Sequence, residues 1–325
     1  MAKEIKIAFI GNGYIARQHL GILKTFKYAK IIGYLDGKTD KFKISVAKKI
    51  FGKRFNPMKQ LIASRPDMVY ICTPPYIRFK YEQILIKNKI NYFVEKPPII
   101  DKHKKLLRIL SKLGNKLIVI PGFQWRFFNF NNLLMECLKK DSVRFIYAER
   151  LLPTPFKEWK LDKEKSGGIM YEFLIHMIDY CQFLFKADIK FIKYCANSPK
   201  IGKNNDKNYN LNDAEILIFK IKDILCNVYG TNYTSNNNYL KLTFVGQKKL
   251  YRISFNKNNK VILEIINNNR IEKVISENFN DAYKKENDFV MKTILKNKKS
   301  NMHYMNSLAM AGKLIAAIKK GEIIS

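Results

Sequence analysis

Four stretches of this chain combine residue types and spacings that can do chemistry. In "NYFVEKPPI" (residues 91–99) three apolar or aromatic residues run straight into Glu95, Lys96 and two prolines. A strand that carries a charged pair at its carboxyl end and is then stopped by proline presents those charges outward, although a strand-end surface ion pair would read the same way. "GNGYIA", from Gly11 to Ala16, has the glycine spacing of a turn that lets backbone approach a phosphate. "CTPP" at 72–75 places Thr73 and Pro74 at the end of another apolar run and, taken alone, is a strand stopped by prolines. In "GGIMYEFLIHMIDY", Glu172, His176 and Asp179 stand at i, i+4 and i+7, which puts them on one face of a helix. A carboxylate one turn from a histidine can fix its tautomer and tune its basicity; a satisfied core histidine beside a surface acid fits the same spacing. Of His19, His103, His176 and His303, only His176 has acids on its own helical face.

The elements that would position these groups alternate over the first stretch of chain. "IKIAFIG", "AKIIGYLD", "DMVYICTPP", "NYFVEKPP" and "KLIVIPGFQW" read as strands. Helical patterns such as "ARQHLGILKTF", "KFKISVAKKIFG", "YIRFKYEQILIKNK" and "KHKKLLRILSKLG" lie between them. Repeated βα units with continuous apolar strands predict a doubly wound parallel sheet covered on both faces. In that frame "GNGYIA" follows a strand and opens a helix, and Asp36 ends the next strand about twenty residues on. Gly11 would supply the tight turn and Gly13 the close approach to a pyrophosphate, with Tyr14 and Ile15 opening the helix whose amides face it. Asp36 would accept from ribose hydroxyls and favour NAD over NADP, a preference that Lys38 and Lys41 would blunt. Thr73, Pro74, Glu95 and Lys96 fall at carboxyl ends of strands, the side on which such sheets bind ligands.

Beyond residue 121 the texture changes. We expect a dinucleotide-binding domain over 1–121 and an α+β domain over 122–325, with the final helix able to pack back on the first. The second domain reads as a large, mainly antiparallel open sheet with helices on one side. Its strands include "VRFIYAERLL", "DAEILIFKI", "ILCNVYGTNYTS" and "YLKLTFVGQKKLYRISF". Arg126, placed on the return strand in "QWRF", and Trp159 are candidate substrate contacts together with Asp179.

Composition narrows the classes. The net charge is +33, but lysine outnumbers arginine roughly five to one and is spread along the whole chain. Nucleic-acid recognition favours clustered arginine, so no nucleic-acid partner is expected; an anionic small molecule would suit the charge. The five cysteines show no metal-ligand spacing and read as reduced thiols, and no metal is expected. Without a signal core or a membrane-length apolar run, the chain is expected to be cytoplasmic and free of membranes.

The set "GNGYIARQH", "TPP", "VEKPP", "GFQWRF" and "GGIMYEFLIHMIDY", in this order, resembles the Gfo/Idh/MocA oxidoreductases, named for glucose-fructose oxidoreductase and inositol dehydrogenase. The resemblance covers the whole chain and implies an α/β Rossmann domain, a substrate-bearing α+β domain, NAD or NADP as cofactor, and a homodimer or homotetramer. It implies that Lys96 of the Glu95–Lys96–Pro97 motif is the catalytic lysine, that His176 is the general acid or base, and that Glu172 occupies the family's aspartate position. The expected activity is hydride transfer between nicotinamide and a secondary alcohol or ketone of a sugar, cyclitol or nucleotide-sugar. Three departures set the chain apart: Glu172 for aspartate, Leu174 for a common glycine, and Arg78 for a frequent histidine. They motivate the alternative of a cofactor-binding homologue that has lost catalysis and acts as a regulator or scaffold.

Overall fold

The structure is a computed structural model that describes residues 4–37, 41–153, 158–197, 210–234, 238–256 and 258–324. Lys38 and most of the polar stretch 202–212 lie outside the described residues. By compactness the chain falls into two units, Met1–Gly122 with Tyr283–Ala309, and Phe123–Ala282 with Met310–Ser325.

In the first unit the apolar runs become strands and the 3.6-period segments helices. They follow in the order β1 (Ile5–Ile10), α1 (Tyr14–Leu23), β2 (Ala29–Leu35), α2 (Lys41–Phe51), β3 (Arg54–Phe55), α3 (Met58–Ala63), β4 (Met68–Ile71), α4 (Arg78–Lys87), β5 (Tyr92–Glu95), α5 (His103–Leu113) and β6 (Val119–Gly122). The six strands are all parallel, in the order β3-β2-β1-β4-β5-β6. Alternate residues feed two cores, one containing Ala8, Ile10, Val69, Ile71 and Val94, the other Ile7, Phe9, Tyr70 and Phe93. Each fully buried side chain of this size contributes about 1.5–3 kcal/mol.

The second unit carries α6 (Asn131–Lys140), β7 (Phe145–Pro153), α7 (Glu158–Leu161), α8 (Lys163–Ser166), α9 (Ile175–Phe185), β8 (Ile189–Asn197), β9 (Ala214–Ile221), β10 (Ile224–Thr234), β11 (Tyr239–Val245), β12 (Leu250–Phe255), β13 (Lys260–Asn267) and β14 (Arg270–Asn278). After these come α10 (Phe279–Leu295), α11 (Met302–Lys320) and β15 (Glu322–Ile324). The nine strands order as β14-β13-β12-β11-β7-β10-β9-β8-β15. The sheet is mainly antiparallel but mixed: β7 is inserted between β10 and β11 and runs parallel to β10, and β15 runs parallel to β8. Period-two alternation is the same for both orientations, so local pattern does not report this. Two other local readings are corrected. The run "YLKLTFVGQKKLYRISF" is the hairpin β11–β12, its turn held by Asp141, whose carboxylate accepts from the amides of Lys248 and Lys249 at 3.1 and 3.0 Å. β6 ends at Gly122, and Arg126 sits on a 3-10 turn over Gln124–Phe127 instead of on a return strand.

No helix among the described residues is long and apolar enough to cross a membrane. Cys72, Cys181 and Cys226 are buried, and all five cysteines are free thiols. Burial pushes the Cys72 and Cys181 thiols well up, as suits inert core residues.

The tail of the chain completes the first unit. Tyr304 and Leu308 of α11 join one core, Val290 and Met291 of α10 the other. Glu82 of α4 is fully buried, and the hydroxyls of Tyr92 and Tyr304 donate to its two oxygens at 3.1 and 2.9 Å. Burial raises its carboxyl to about 7 against the pull of both phenols and of Arg78, from an ordinary 4.5. The folded state therefore keeps this proton where the unfolded chain has released it. Stability from this group is present below 4.5 and is lost as pH rises to about 7, on the order of 3 kcal/mol. Glu82→Gln is expected to flatten that dependence; melting temperatures measured from pH 5 to 8 that keep the wild-type slope would contradict it.

Candidate active site

Strand order in the first unit reverses direction at β1, whose neighbours are β2 on one side and β4 on the other. The carboxyl ends of strands at such a switch point form a crevice where backbones diverge, the usual place for a dinucleotide. Gly11 ends β1 with φ +95, and a Cβ there would lie 2.9 Å from the Cys72 carbonyl oxygen, so both conformation and space demand glycine. Gly13 precedes α1 with nothing near its missing side chain and no side-chain cap on the helix. The first amides of α1 are therefore available to an anion. Tyr14 is exposed and Ile15 half-buried on the first turn. Thr73 is buried beside Gly11, with no hydrogen-bond partner for its Oγ1 among the described residues, and Pro74 follows it half-buried. A dinucleotide fits this set: a cradle that a Cβ would fill, free helix amides and an unspent hydroxyl.

Asp36 is not a bare acid. Its Oδ2 accepts from Asn12 Nδ2 at 2.6 Å, and its Oδ1 pairs with Arg54 Nε at 2.9 Å. Neither partner stands out in the sequence, because Asn12 is the variable residue of the glycine turn and Arg54 belongs to a two-residue strand.

Glu95 and Lys96 end β5 as expected, but Glu95 faces inward. Its Oε1 lies 2.8 Å from His19 Nε2, and its Oε2 accepts from the Lys96 amide at 3.0 Å. Accepting at Nδ1 from Asn287 Nδ2 at 2.9 Å, His19 donates from Nε2 to Glu95. Tyr70 donates to Asn287 Oδ1 at 3.1 Å, and burial together with nearby Glu286 holds its phenol well above its ordinary value, so it stays a donor. The line Tyr70–Asn287–His19–Glu95 thus fixes the base of the strand end that carries Lys96. Glu286 brings a third ligand-type atom within 4.8 Å of His19 and Glu95. Both His19 nitrogens are engaged, which leaves no imidazole lone pair for a cation.

Arg78 stands at the start of α4 and is buried. Its Nε donates to the Thr73 carbonyl at 2.8 Å, and its terminal nitrogens donate to the carbonyls of Thr73, Glu95 and Pro97. One guanidinium therefore ties the end of β4 to the end of β5 and brackets Lys96 on both sides. The five fixed donors of arginine allow this; histidine has two.

In the second unit "GGIMYEFLIHMIDY" opens as a π-helical turn, Met170–Leu174, and continues as α9. Gly167 and Gly168 have φ +80 and +81, and a Cβ on Gly168 would lie 2.7 Å from Glu215 Oε1. The buried Glu215 carboxylate accepts from the amides of Ile169 and Met170 at 3.3 and 2.7 Å and from Asn212 Nδ2 at 3.1 Å. It caps the segment from strand β9, a role that its distance in sequence hides. The π turn, bonded i to i+5, breaks the simple i, i+4, i+7 register. The two acids also find cations of their own: Glu172 pairs with Lys160 at 2.7 Å, and Asp179 binds Arg126 through two oxygens at 2.9 and 2.5 Å. Lys160 lies over the rings of Trp159 and Phe173, 5.4 and 4.6 Å from their centroids. His176 is half-buried and stacks on Trp125 (5.5 Å, 10°), which stacks on Phe255 (4.9 Å). The structure thus joins Arg126 with Asp179, and Trp159 with Glu172 through Lys160, around the helix that bears His176.

The fold and the strand-end cradle define a dinucleotide-binding α/β protein. Sequence profiles of the oxidoreductase family identify it further: the one for the NAD-binding Rossmann fold matches residues 5–120, and the one for the C-terminal alpha/beta domain matches residues 142–310. The chain belongs to the Gfo/Idh/MocA oxidoreductase family. It is 27% identical over 198 residues to glucose-6-phosphate 3-dehydrogenase of Bacillus subtilis, covering 56% of this chain and 54% of that protein. It is 22% identical to D-glucoside 3-dehydrogenase of Escherichia coli, again over 56% and 54% of the two chains. The chain spans about half the length of the curated relatives it matches. In structure it resembles KijD10, a 3-ketoreductase from Actinomadura kijaniata in complex with NADP and TDP-benzene, with a TM-score of 0.83 at 14% identity over 99% of this chain and 100% of that one.

Removing the Arg78 guanidinium would leave the buried carbonyls of Thr73, Glu95 and Pro97 without their donor, a cost of about 3 kcal/mol. Arg78→Met is expected to lower the unfolding midpoint in denaturant accordingly and to weaken binding of reduced nicotinamide dinucleotide, read by fluorescence titration. A midpoint and affinity equal to wild type would show that the strand ends hold without it.

Proposed function

We propose that this protein is an NAD(P)-dependent dehydrogenase or reductase acting on a secondary alcohol or ketone of a sugar, cyclitol or nucleotide-sugar. In this reading the amino-terminal unit binds the dinucleotide and the nine-stranded unit the substrate. The observation that carries it is the convergence of the Gly11 turn, Thr73 and the Glu95–Lys96 strand end at the switch point of the parallel sheet. A nicotinamide dinucleotide held there would supply the hydride acceptor or donor. Gly11, Gly13 and the opening amides of α1 would hold its pyrophosphate, Asp36 its ribose, and Thr73 and Pro74 would line its path.

Lys96 would polarise the substrate oxygen with its ammonium, worth about 3 kcal/mol by comparison with other positioned donors. His176, held by Trp125 stacking, would take or return the hydroxyl proton. Glu172 would act through Lys160, and Arg126 with Asp179 would brace the helix beside the substrate. Since Glu172 and Arg78 each have a defined partner, these departures lend no support to a loss of catalysis. The names of the relatives, which include a sugar-phosphate and a glucoside dehydrogenase, support a sugar-like substrate. The outward face of the nine-stranded sheet exposes Ile216, Leu225, Ile271 and Val274, which supports the expected homodimer or homotetramer.

For the cofactor, Asp36 supports NAD, and its partner Arg54 offers a cation to a 2′-phosphate, so NADP is expected as the weaker alternative. Asp36→Ala should then shift the ratio of kcat/KM for NAD over NADP by about tenfold toward NADP. For the chemistry, Lys96→Ala and His176→Ala should each lower kcat by about a hundredfold or more across a sugar and nucleotide-sugar panel. Turnover unchanged in both variants would refute the assigned roles.

A further inference from the structure

Of the cations on or beside the elements that hold His176, three lie against its packed surroundings or its acids, and two of these are neutralised. Arg126 is bound by Asp179 and Lys160 by Glu172. The third is Arg150, on β7. It pairs in register with Gly230 of β10 and Leu240 of β11. Ile146, Ala148 and Leu152, which alternate with it on the same side of β7, are buried, so Arg150 points to the packed face of the sheet. A Cβ on Gly230 would lie 3.0 Å from Leu174, two residues before His176, so the His176 segment packs on this face next to Arg150. Leu240 pairs in turn with Phe255, whose ring belongs to the stack with Trp125 and His176.

Arg150 is half-buried, and its side chain has no hydrogen bond or ion pair among the described residues. Burial alone lowers its guanidinium to about 10, with no carboxylate acting on it, and at neutral pH it remains a cation. A partly buried charge without a partner costs stability, so a chain rich in surface lysine gains nothing structural by holding one there. What it does gain is a planar fork of donors matched to an oxyanion.

We propose that Arg150 is the anchor for a phosphoryl oxyanion carried by the sugar-like substrate, either a sugar monophosphate or the diphosphate of a nucleotide-sugar. This deepens the dehydrogenase reading by naming a substrate class, and it rests on that reading for the sugar but not for the anion. The test is isothermal titration of the full-length chain, wild type and Arg150→Gln, with inorganic phosphate, glucose 6-phosphate, uridine diphosphate, glucuronate and glucose. Wild type is expected to bind glucose 6-phosphate or uridine diphosphate at least tenfold more tightly than glucose; which of the two binds better separates monophosphate from nucleotide-linked substrates. Arg150→Gln should erase that preference while leaving the glucose affinity in place, and Arg150→Lys should restore part of it. The ligand-free melting temperature of Arg150→Gln should equal or exceed that of wild type, because an uncompensated charge has been removed. Absence of an anion preference in wild type, its survival in Arg150→Gln, tighter binding of glucuronate than of the phosphorylated probes, or a fallen melting temperature with loss of all ligands would each overturn the proposal. Titration needs no turnover, so inactivity of the enzyme on every substrate would count against the dehydrogenase reading alone.

Discussion

A single buried guanidinium holds the two strand ends on which the candidate chemistry stands. Parallel sheets leave the carbonyls at their carboxyl ends without ladder partners, and two proline-stopped strands side by side make that shortage acute. Arg78 meets it by donating to Thr73, Glu95 and Pro97 from one rigid group. Glu82, one turn along α4, keeps a carboxyl near this cation, and Tyr92 and Tyr304 hold that carboxyl in turn. The Lys96 backbone is thereby fixed from above by Arg78 and from beneath by the His19–Glu95 contact, while its side chain remains half-buried at the rim.

The second unit follows the same logic with opposite charges. There a carboxylate, Glu215, gathers the unsatisfied amides at the start of the segment bearing His176. Gly168 is the condition for its approach, while Gly167 before it makes room for the Tyr171 ring. In both units a buried ionic group satisfies main-chain polar atoms at an element end, and the candidate functional side chain sits within two turns of that end. Such groups position without touching the reacting atoms.

Much of the fold was legible because its signals are local. Continuous apolar runs ending in glycine, acid or proline marked β1, β2, β4 and β5, and the spacing from Gly11 to Asp36 marked a dinucleotide fold. What escaped depends on pairs far apart in the chain. His19 and Glu95 are 76 positions apart, and Tyr304 and Glu82 are 222 apart. Arg78 read as a mere departure because the carbonyls it serves carry no side-chain signature. The parallel β7–β10 pair was missed because period-two alternation is common to both strand orientations, and the π turn because five residues are too few to show a period of their own.

The share of the first unit contributed by residues 283–309 bears on how the chain is made. When a ribosome has released only the six parallel strands and their helices, Tyr304, Leu308, Val290 and Met291 are still to be synthesised, and Asn287 has yet to reach His19. Both helical layers are incomplete at that moment, with apolar surface open to water and to other nascent chains. The amino-terminal half of the molecule must therefore wait, unsealed, through some 160 further residues of translation, a natural period for chaperone custody.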